Sequence, residues 1–362
     1  MKKTFLLFAA SLAALVSCDR SNIIPNDTPQ KETEEKIETE ENTMTPIQLN
    51  IAGQETKALA ASSNEKAINT LQVLVYTKND AGTETYDSYY TFDGNSDDYV
   101  IYIDPNRTDV SEYRFAAYVN QPVLNDETYT KDWALFSNES TTNFQMYGEK
   151  TYTVTDLKKT YTANITVARQ CSRVEVKEIA VDWTNSVNSR KSFKLKSMYL
   201  MDVQGAFRNH YDIPESVSKN YDLWYNKNGY SKTPQDNLLY DKIDDAAVTE
   251  GVPYSTDHFF YGYISDLTTY NEDETWEPGG TRLVIEAEFD GKLCYYAIRL
   301  NGLNNTPIQT DIRNKEFIFN KITITKPGSE KPYSKLPEES PVEVSVTVQE
   351  WQPGFSGDYT VQ

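Results

Sequence analysis

The sequence predicts an all-β protein, and three observations support that prediction. Short runs of alternating apolar and polar residues recur along the chain, and a period of two is typical of half-buried strands. Helical periodicity is almost absent, which favours packed β-sheets. Tyrosine occurs 26 times, and this residue type favours strands and contact surfaces.

Composition restricts the function classes. The 362 residues are enough for two domains, and a hydrophobic content of 38% is too high for a disordered chain. With 35 Lys and Arg against 54 Asp and Glu, the net charge of −19 argues against a nucleic-acid partner. Two His and three Cys make a His-based triad or a Cys/His metal cage difficult to assemble, so no cofactor or metal is expected. Cys171 and Cys294 lie in strand-like runs and are interpreted as buried hydrophobes more readily than as a disulfide.

The first residues have the pattern of an export signal. Lys2 and Lys3 precede an apolar run, Phe5–Val16, that is shorter than the roughly 20 residues of a membrane-spanning helix. The run ends in Leu15–Cys18, which looks like a bacterial lipobox, so we expect cleavage before Cys18 and lipidation of its thiol. An ordinary secretory signal with an incidental cysteine is the alternative.

The elements follow in order after an acidic tether, Asp19–Asn42, which has too few apolar residues to form a core. Ile47, Leu49 and Ile51 alternate with polar or small residues and predict the first strand. A loop of small residues begins at Lys57. The further predicted strands are Leu71–Tyr76, Tyr99–Ile103, Tyr113–Val119, Tyr152–Val154, Tyr161–Ala168, runs within Cys171–Trp183, Phe193–Val203, Leu283–Phe289, Leu293–Leu300, Phe317–Thr325 and Val342–Val348.

Three local predictions accompany these strands. Asp290-Gly291 suits a type I′ hairpin turn between two of them. Asp132–Asn138 is interpreted as a short helix, and Arg208–His258 as a long irregular excursion. A domain boundary is expected near Ala168–Arg173, where one block of strands ends and another begins.

An enzyme is not supported by the motifs present. The chain has no Gly-rich phosphate loop, nucleophile elbow or HExxH motif. Glu286 and Glu288 share one strand face, but a solvated face explains them better than a carboxylate pair. His210 and His258 have no evident nucleophile beside them, and Asp93–Asp97 lacks the glycine and glutamate that a calcium loop needs.

A glycan-binding surface lipoprotein is an alternative function. Tyr221, Trp224, Tyr225 and Tyr230 lie in the long excursion and could stack on sugar rings. The simpler interpretation is that these aromatic residues fold the excursion back onto the sheets, which buries large apolar area.

Several segments together carry a family resemblance. The lipobox at Cys18 is followed by a small-residue stretch after Thr56–Ala58. The remaining segments are INTLQVLVY, EYRFAAYVNQP, ITVARQCSRVEV, FYGYISD, TRLVIEAEFDGKLCYYAIRLN, RNKEFIFNKITITKPGS and VEVSVTVQEW. In this order and spacing the chain resembles the fimbrillin superfamily of Bacteroidetes, the type V pilins, over nearly its whole length.

The resemblance implies a domain organisation. It comprises a signal peptide at 1–17 and a lipidated propeptide at 18–57, which carries the tether and a removable first strand. Two transthyretin-like β-sandwich domains follow at 58–170 and 171–362.

The resemblance also implies proteolytic processing. A trypsin-like protease would cut after Lys57, leave Ala58 as the new N-terminus and release the strand that carries Ile47, Leu49 and Ile51. Lys66 is the fallback cleavage site. Arginine, and not the lysine found at position 57, would be the more expected residue at the cleavage position.

The implied function is that of a structural fimbrial subunit, either stalk or tip. The groove left by the first strand would accept a donor strand from another subunit, and the exposed backbone edge would template its addition. The implied partners are other fimbrial subunits, the processing protease, the outer membrane through an acyl group such as palmitate, and a host or bacterial surface ligand. Adhesion and biofilm formation at the cell surface would follow. A fimbrial anchor subunit that keeps its lipid is a further alternative.

Overall fold

The computed structural model describes residues 44–53, 65, 67–94, 98–104, 106–123, 133–184, 191–208, 223–265, 267, 276–300, 312–332 and 342–350. Strands dominate these ranges, so the all-β prediction is confirmed. The helices described there are α1 (Val154–Thr160) and α2 (Asp236–Leu239), beside a 3-10 turn at Phe136–Asn138. In chain order the strands are β1 (Thr45–Gly53), β2 (Thr70–Lys78), β3 (Glu84–Asp93), β4 (Tyr99–Ile103), β5 (Glu112–Val119), β6 (Trp133–Leu135), β7 (Met146–Thr153), β8 (Thr162–Arg169), β9 (Ser172–Val176), β10 (Ile179–Val181), β11 (Phe193–Met201), β12 (Ala206–Arg208), β13 (Tyr240–Ala247), β14 (His258–Gly262), β15 (Arg282–Phe289), β16 (Lys292–Arg299), β17 (Lys315–Ile324) and β18 (Val342–Glu350).

The first sheet has seven strands in the order β3-β2-β5-β7-β8-β1-β4. It consists of a four-stranded part, β3-β2-β5-β7, and a three-stranded part, β8-β1-β4. Within the described residues, strand pairing joins the two parts only where Met146 and Tyr147 of β7 pair with the end of β8. Beyond that point the backbones of β7 and β8 pass so close together that a Cβ at Gly148 would lie 2.0 Å from the carbonyl oxygen of Thr166. Glycine is therefore required where the sheet turns from one part to the other.

The second half of the chain forms a five-stranded and a four-stranded sheet, and it shares a two-stranded sheet with β6. In the five-stranded sheet, β17 pairs with β10 and β9 in parallel and with β18 antiparallel, and β14 extends it beyond β9. A four-stranded antiparallel sheet has the order β13-β11-β15-β16. Strand β12 pairs with β6, so the segment that begins at Trp133 lies against the second half of the chain.

The β15–β16 turn confirms its sequence prediction. Asp290 has a φ of 49° and Gly291 a φ of 80°. A type I′ turn needs positive φ at both central residues, which explains why this dipeptide joins the strands.

Two local predictions are wrong in part. Residues 133–135 of the expected Asp132–Asn138 helix form a strand, because β6 finds a partner in β12, and the 3-10 turn follows. The strand expected at Tyr152–Val154 ends at Thr153, and α1 begins at Val154. Thr153 caps α1, since its hydroxyl accepts a hydrogen bond from the Asp156 amide at 3.1 Å.

Two strands with polar faces are not predicted by the sequence pattern. Within the excursion Arg208–His258, which we expected to be irregular, α2 and β13 are regular structure. Strand β3 was not predicted, because its sequence ETYDSYYTFD offers little apolar alternation. Both lie at sheet edges, so much of their surface faces water.

Two large hydrophobic clusters fill the space between the sheets. The N-terminal core contains buried apolar side chains from β1, β2, β4, β5, β7 and β8, together with α1. The C-terminal core is larger and draws on β9–β11, β14–β17 and α2. Ala134, Phe136 and Phe144 belong to the C-terminal core. The domain boundary between 170 and 171 stays a prediction.

Candidate functional site

The candidate site is the slot that β1 occupies in the three-stranded part of the first sheet. Strand β1 lies between β4 and β8, antiparallel to β4 and parallel to β8. Its register with β4 runs from Thr45 opposite Ile103 to Leu49 opposite Tyr99. Removing β1 would therefore leave a gap one strand wide, with a strand on each side.

The alternation predicted for β1 places its side chains in the core. Ile47 and Leu49 are each 1% exposed and belong to the N-terminal core, and Ile51 is half-buried against it. Asn50 points to the exposed face, where its Nδ2 donates to Oδ1 of Asn164 at 2.8 Å. The removable-strand role of Ile47, Leu49 and Ile51 stays a prediction. Their side chains point into the core, so loss of the strand would leave apolar pockets at these positions.

A buried charge cluster lies just after the β1 segment. Glu65 is 4% exposed and accepts a hydrogen bond from the Tyr261 hydroxyl at 2.7 Å. Its carboxylate lies 3.5 Å from Nη1 of Arg173, and its carbonyl accepts from Nε of Arg169 at 3.0 Å. Arg173 also pairs with the buried Glu316, where its Nε donates over 2.7 Å. We call this group of side chains the clasp: Glu65, Arg169, Arg173, Tyr261 and Glu316. It fixes residue 65 between strands of both halves of the chain.

A second buried carboxylate is that of Glu139. It accepts hydrogen bonds from the Tyr263 hydroxyl at 2.7 Å and from the backbone N–H of Gln145 at 2.9 Å. Burial raises the pKa of Glu139 to about 8, although both hydrogen bonds favour its charged form. Burial therefore favours the protonated form of this carboxyl group more than exposure to water would.

Three of the predicted site residues lie outside the described residues, namely Cys18, Lys57 and Ala58. Cys171 and Cys294 are described, and both are free and buried. Burial raises the pKa of the Cys171 thiol, as expected for a cysteine that acts as a small hydrophobe.

The residues weighed for catalysis have structural partners. Glu286 accepts a hydrogen bond from Ser197 at 3.0 Å, and Glu288 pairs with Lys196 at 3.1 Å. Nδ1 of His258 is 2.5 Å from Asp241, and its Nε2 is 3.0 Å from the Tyr254 hydroxyl. Among the described residues no group of three or more His, Cys, Asp or Glu could hold a metal ion, and no helix there is long and apolar enough to cross a membrane.

The aromatic residues of the excursion pack on the sheets. Trp224 is buried and makes an edge contact with Trp276 at 5.6 Å between ring centroids, and Tyr225 packs against Phe136 at 5.3 Å. Tyr230 stacks on a tyrosine of β13 at 4.1 Å. These contacts favour a structural role over an open sugar platform; Tyr221 lies outside the described residues.

Comparison with known proteins identifies the fold. No protein-family model and no curated protein sequence matches the chain. Among solved structures, a fimbrilin from Porphyromonas gingivalis is similar with a TM-score of 0.56 and 14% identity, covering 86% of this chain and 98% of that one. A candidate cell adhesion protein from Bacteroides eggerthii gives 0.55 and 15%, covering 86% and 98%. Another, from Parabacteroides distasonis, gives 0.55 and 15%, covering 85% and 100%.

The chain thus has the fold of these Bacteroidetes fimbrial and adhesion proteins along most of its length. At 14–15% identity the similarity establishes architecture.

Proposed function

We propose that the chain is a structural subunit, stalk or tip, of a cell-surface fimbrium. It is exported as a lipoprotein precursor anchored to the outer membrane through Cys18. A trypsin-like protease cuts after Lys57, β1 leaves, and a strand from another subunit enters the slot. The filament that grows in this way supports adhesion and biofilm formation, and the protein has no catalytic role.

The observation that carries the proposal is the position of β1. Strand β1 is an interior strand and the first of the described strands, so one cut in the segment 54–64 that follows it would separate it from the rest of the described chain. Its loss would expose backbone N–H and C=O groups on both β4 and β8, together with the pockets of Ile47 and Leu49. A strand of similar pattern restores both kinds of contact.

The clasp supports Lys57 over Lys66 as the cleavage site. A cut after Lys66 would remove Glu65 and leave Arg173 with one buried carboxylate partner fewer. Removing one member of a buried ion pair costs roughly 3–5 kcal/mol. A cut after Lys57 keeps Glu65 in the mature chain.

The test is the N-terminus of the chain recovered from native fimbriae, determined by mass spectrometry. We expect the wild-type chain to begin at Ala58. Lys57→Ala should retain lipidated Cys18 and stay out of the filament, whereas the control Lys66→Ala should be processed like the wild type. An assembled wild-type chain that still begins at Cys18 would contradict the stalk and tip roles and would leave the anchor or glycan-binding alternatives.

A further inference from the structure

A tyrosine hydroxyl occupies the outer edge of β4. Tyr90 of β3 donates its O–H to the carbonyl of Tyr102 at 2.6 Å and accepts the Tyr102 amide N–H at 3.2 Å. One phenol therefore makes both of the hydrogen bonds that a neighbouring strand would make to this residue. It does so although β3 and β4 are the opposite ends of the seven-stranded order.

The register explains why those groups are available. The Gln48 amide donates to Tyr161 on the β8 side at 2.9 Å, so even-numbered residues of β1 direct their backbone groups away from β4. Pro46, which has no N–H, therefore faces Tyr102 without exchanging hydrogen bonds. The backbone groups of Tyr102 point outward, to Tyr90.

The other wall of the slot has the same arrangement. Tyr152 of β7 donates to the Asn164 carbonyl at 2.8 Å and accepts the Asn164 amide at 2.7 Å. Asn164 lies on β8 beyond the two residue pairs that join β7 to β8. The rings of Tyr90 and Tyr152 both pack, half-buried, against the N-terminal core that receives Ile47 and Leu49.

These two contacts matter most when β1 is absent. Among the described strands β4 pairs only with β1, and β8 would keep only its two pairs with β7. Side-chain contacts remain, such as the edge contact of Phe92 with Tyr99 at 5.4 Å between ring centroids. The two phenols add hydrogen bonds to the backbones of both walls, at Tyr102 of β4 and at Asn164 of β8.

We propose that Tyr90 and Tyr152 are positioning residues for strand exchange: they hold β4 and β8 apart and in register so that the emptied slot accepts an incoming strand. This inference rests on the proposed function. If the walls of the empty slot are not held in place, they must become ordered when a strand binds. The apparent affinity is then reduced in proportion to the fraction of molecules whose walls are already ordered. Tyr90 also occupies the outward backbone groups of Tyr102, so a strand added to the outer edge of β4 would find those groups already bonded.

The experiment begins with the intact folded chain. A recognition sequence for a specific protease is inserted within 54–64, the chain is cut after folding, and the cleaved N-terminal fragment is removed. Binding of a fluorescent peptide of sequence TPIQLNIAG to the emptied slot is then followed by anisotropy. Tyr90→Phe and Tyr152→Phe remove the hydroxyls and keep the rings. Tyr89→Phe is the matched control, because Tyr89 is an exposed neighbour on the same strand.

Each hydroxyl variant should bind the peptide about fivefold to tenfold more weakly than the control, and the double variant about 30-fold or more. The uncut variants should melt close to the wild type, because β1 then holds both walls. Binding by the double variant within twofold of the control would overturn this inference alone, leaving the proposed function intact. Failure of the wild-type cut chain to release β1 and bind the peptide would overturn both. A large loss of stability in the uncut variants would assign the two tyrosines to folding and also overturn the inference.

Discussion

Truncation of Leu49 tests whether β1 is held by its pockets. The side chain is 1% exposed in the N-terminal core, and Leu49 pairs with Tyr99 on one side and Ala163 on the other. Leu-to-Ala changes at such sites cost about 2–5 kcal/mol, since the apolar transfer energy is lost and a cavity remains. We therefore expect Leu49→Ala to destabilise the uncut chain by about 3 kcal/mol.

The neighbouring positions provide a graded series. Ile51→Ala should cost about 1 kcal/mol, because that side chain is only half-buried. Asn50→Ala should cost less than about 1 kcal/mol, since its hydrogen bond to Asn164 is exposed. The pattern follows from the two-residue period of a strand whose inner face is buried.

Differential scanning calorimetry is the suitable assay for this series. All five tryptophans lie at position 133 or later, so tryptophan fluorescence would report on the N-terminal core poorly. The reasoning would be refuted if Leu49→Ala and Asn50→Ala destabilised the chain equally, or if Leu49→Ala changed its stability by less than about 1 kcal/mol.

Three further predictions concern the framework around the slot. Glu65→Ala should cost about 3–5 kcal/mol by calorimetry, because it removes one of the buried carboxylates that pair with Arg173. Glu178→Ala removes a partly exposed surface pair with Lys321 and should cost less than about 1 kcal/mol. Equal costs would contradict the clasp. Burial raises the pKa of Glu139 from 4.5 to about 8, so the folded chain keeps a proton that the unfolded chain loses. Its stability contribution should therefore be present in full below pH 4.5 and be lost as pH rises towards 8. Denaturant titrations between pH 5 and 8 should show a decline that Glu139→Gln flattens, and an unchanged slope in the variant would contradict this assignment. Gly148→Ala places a Cβ 2.0 Å from a backbone oxygen and should cost about 1–3 kcal/mol; a melting curve like that of the wild type would show that the β7–β8 crossing can relax.

The parts of the fold that could be predicted are those determined by residues close together in the sequence. The alternation of Ile47 and Leu49 predicts which face of β1 is buried, because burial of alternate residues is a property of a single strand. The Asp290-Gly291 turn was equally local, since positive φ at two positions restricts the residue types. Strand β3 was missed because an edge strand needs little apolar surface, and its assignment depends on pairing with β2.

The parts that could not be predicted depend on contacts between distant residues. Glu65 follows a stretch of small polar residues and reads as a surface residue, yet it is buried because Arg169 and Arg173 meet it from more than 100 positions away. Tyr90 and Tyr152 resemble many other strand tyrosines until the fold brings them to the edges of β4 and β8. The abundance of tyrosine was the only signal in the sequence, and it does not distinguish these two.

The most direct test of the central claim identifies which chain fills the β1 slot in the assembled filament. A photo-crosslinking residue at Asn164, on the exposed face of β8 and in contact with Asn50 of β1, reports the occupant. In the uncut precursor we expect crosslinks to residues 45–53 of the same chain. In purified fimbriae we expect crosslinks to a different subunit, and crosslinks that still join Asn164 to its own β1 would contradict strand exchange.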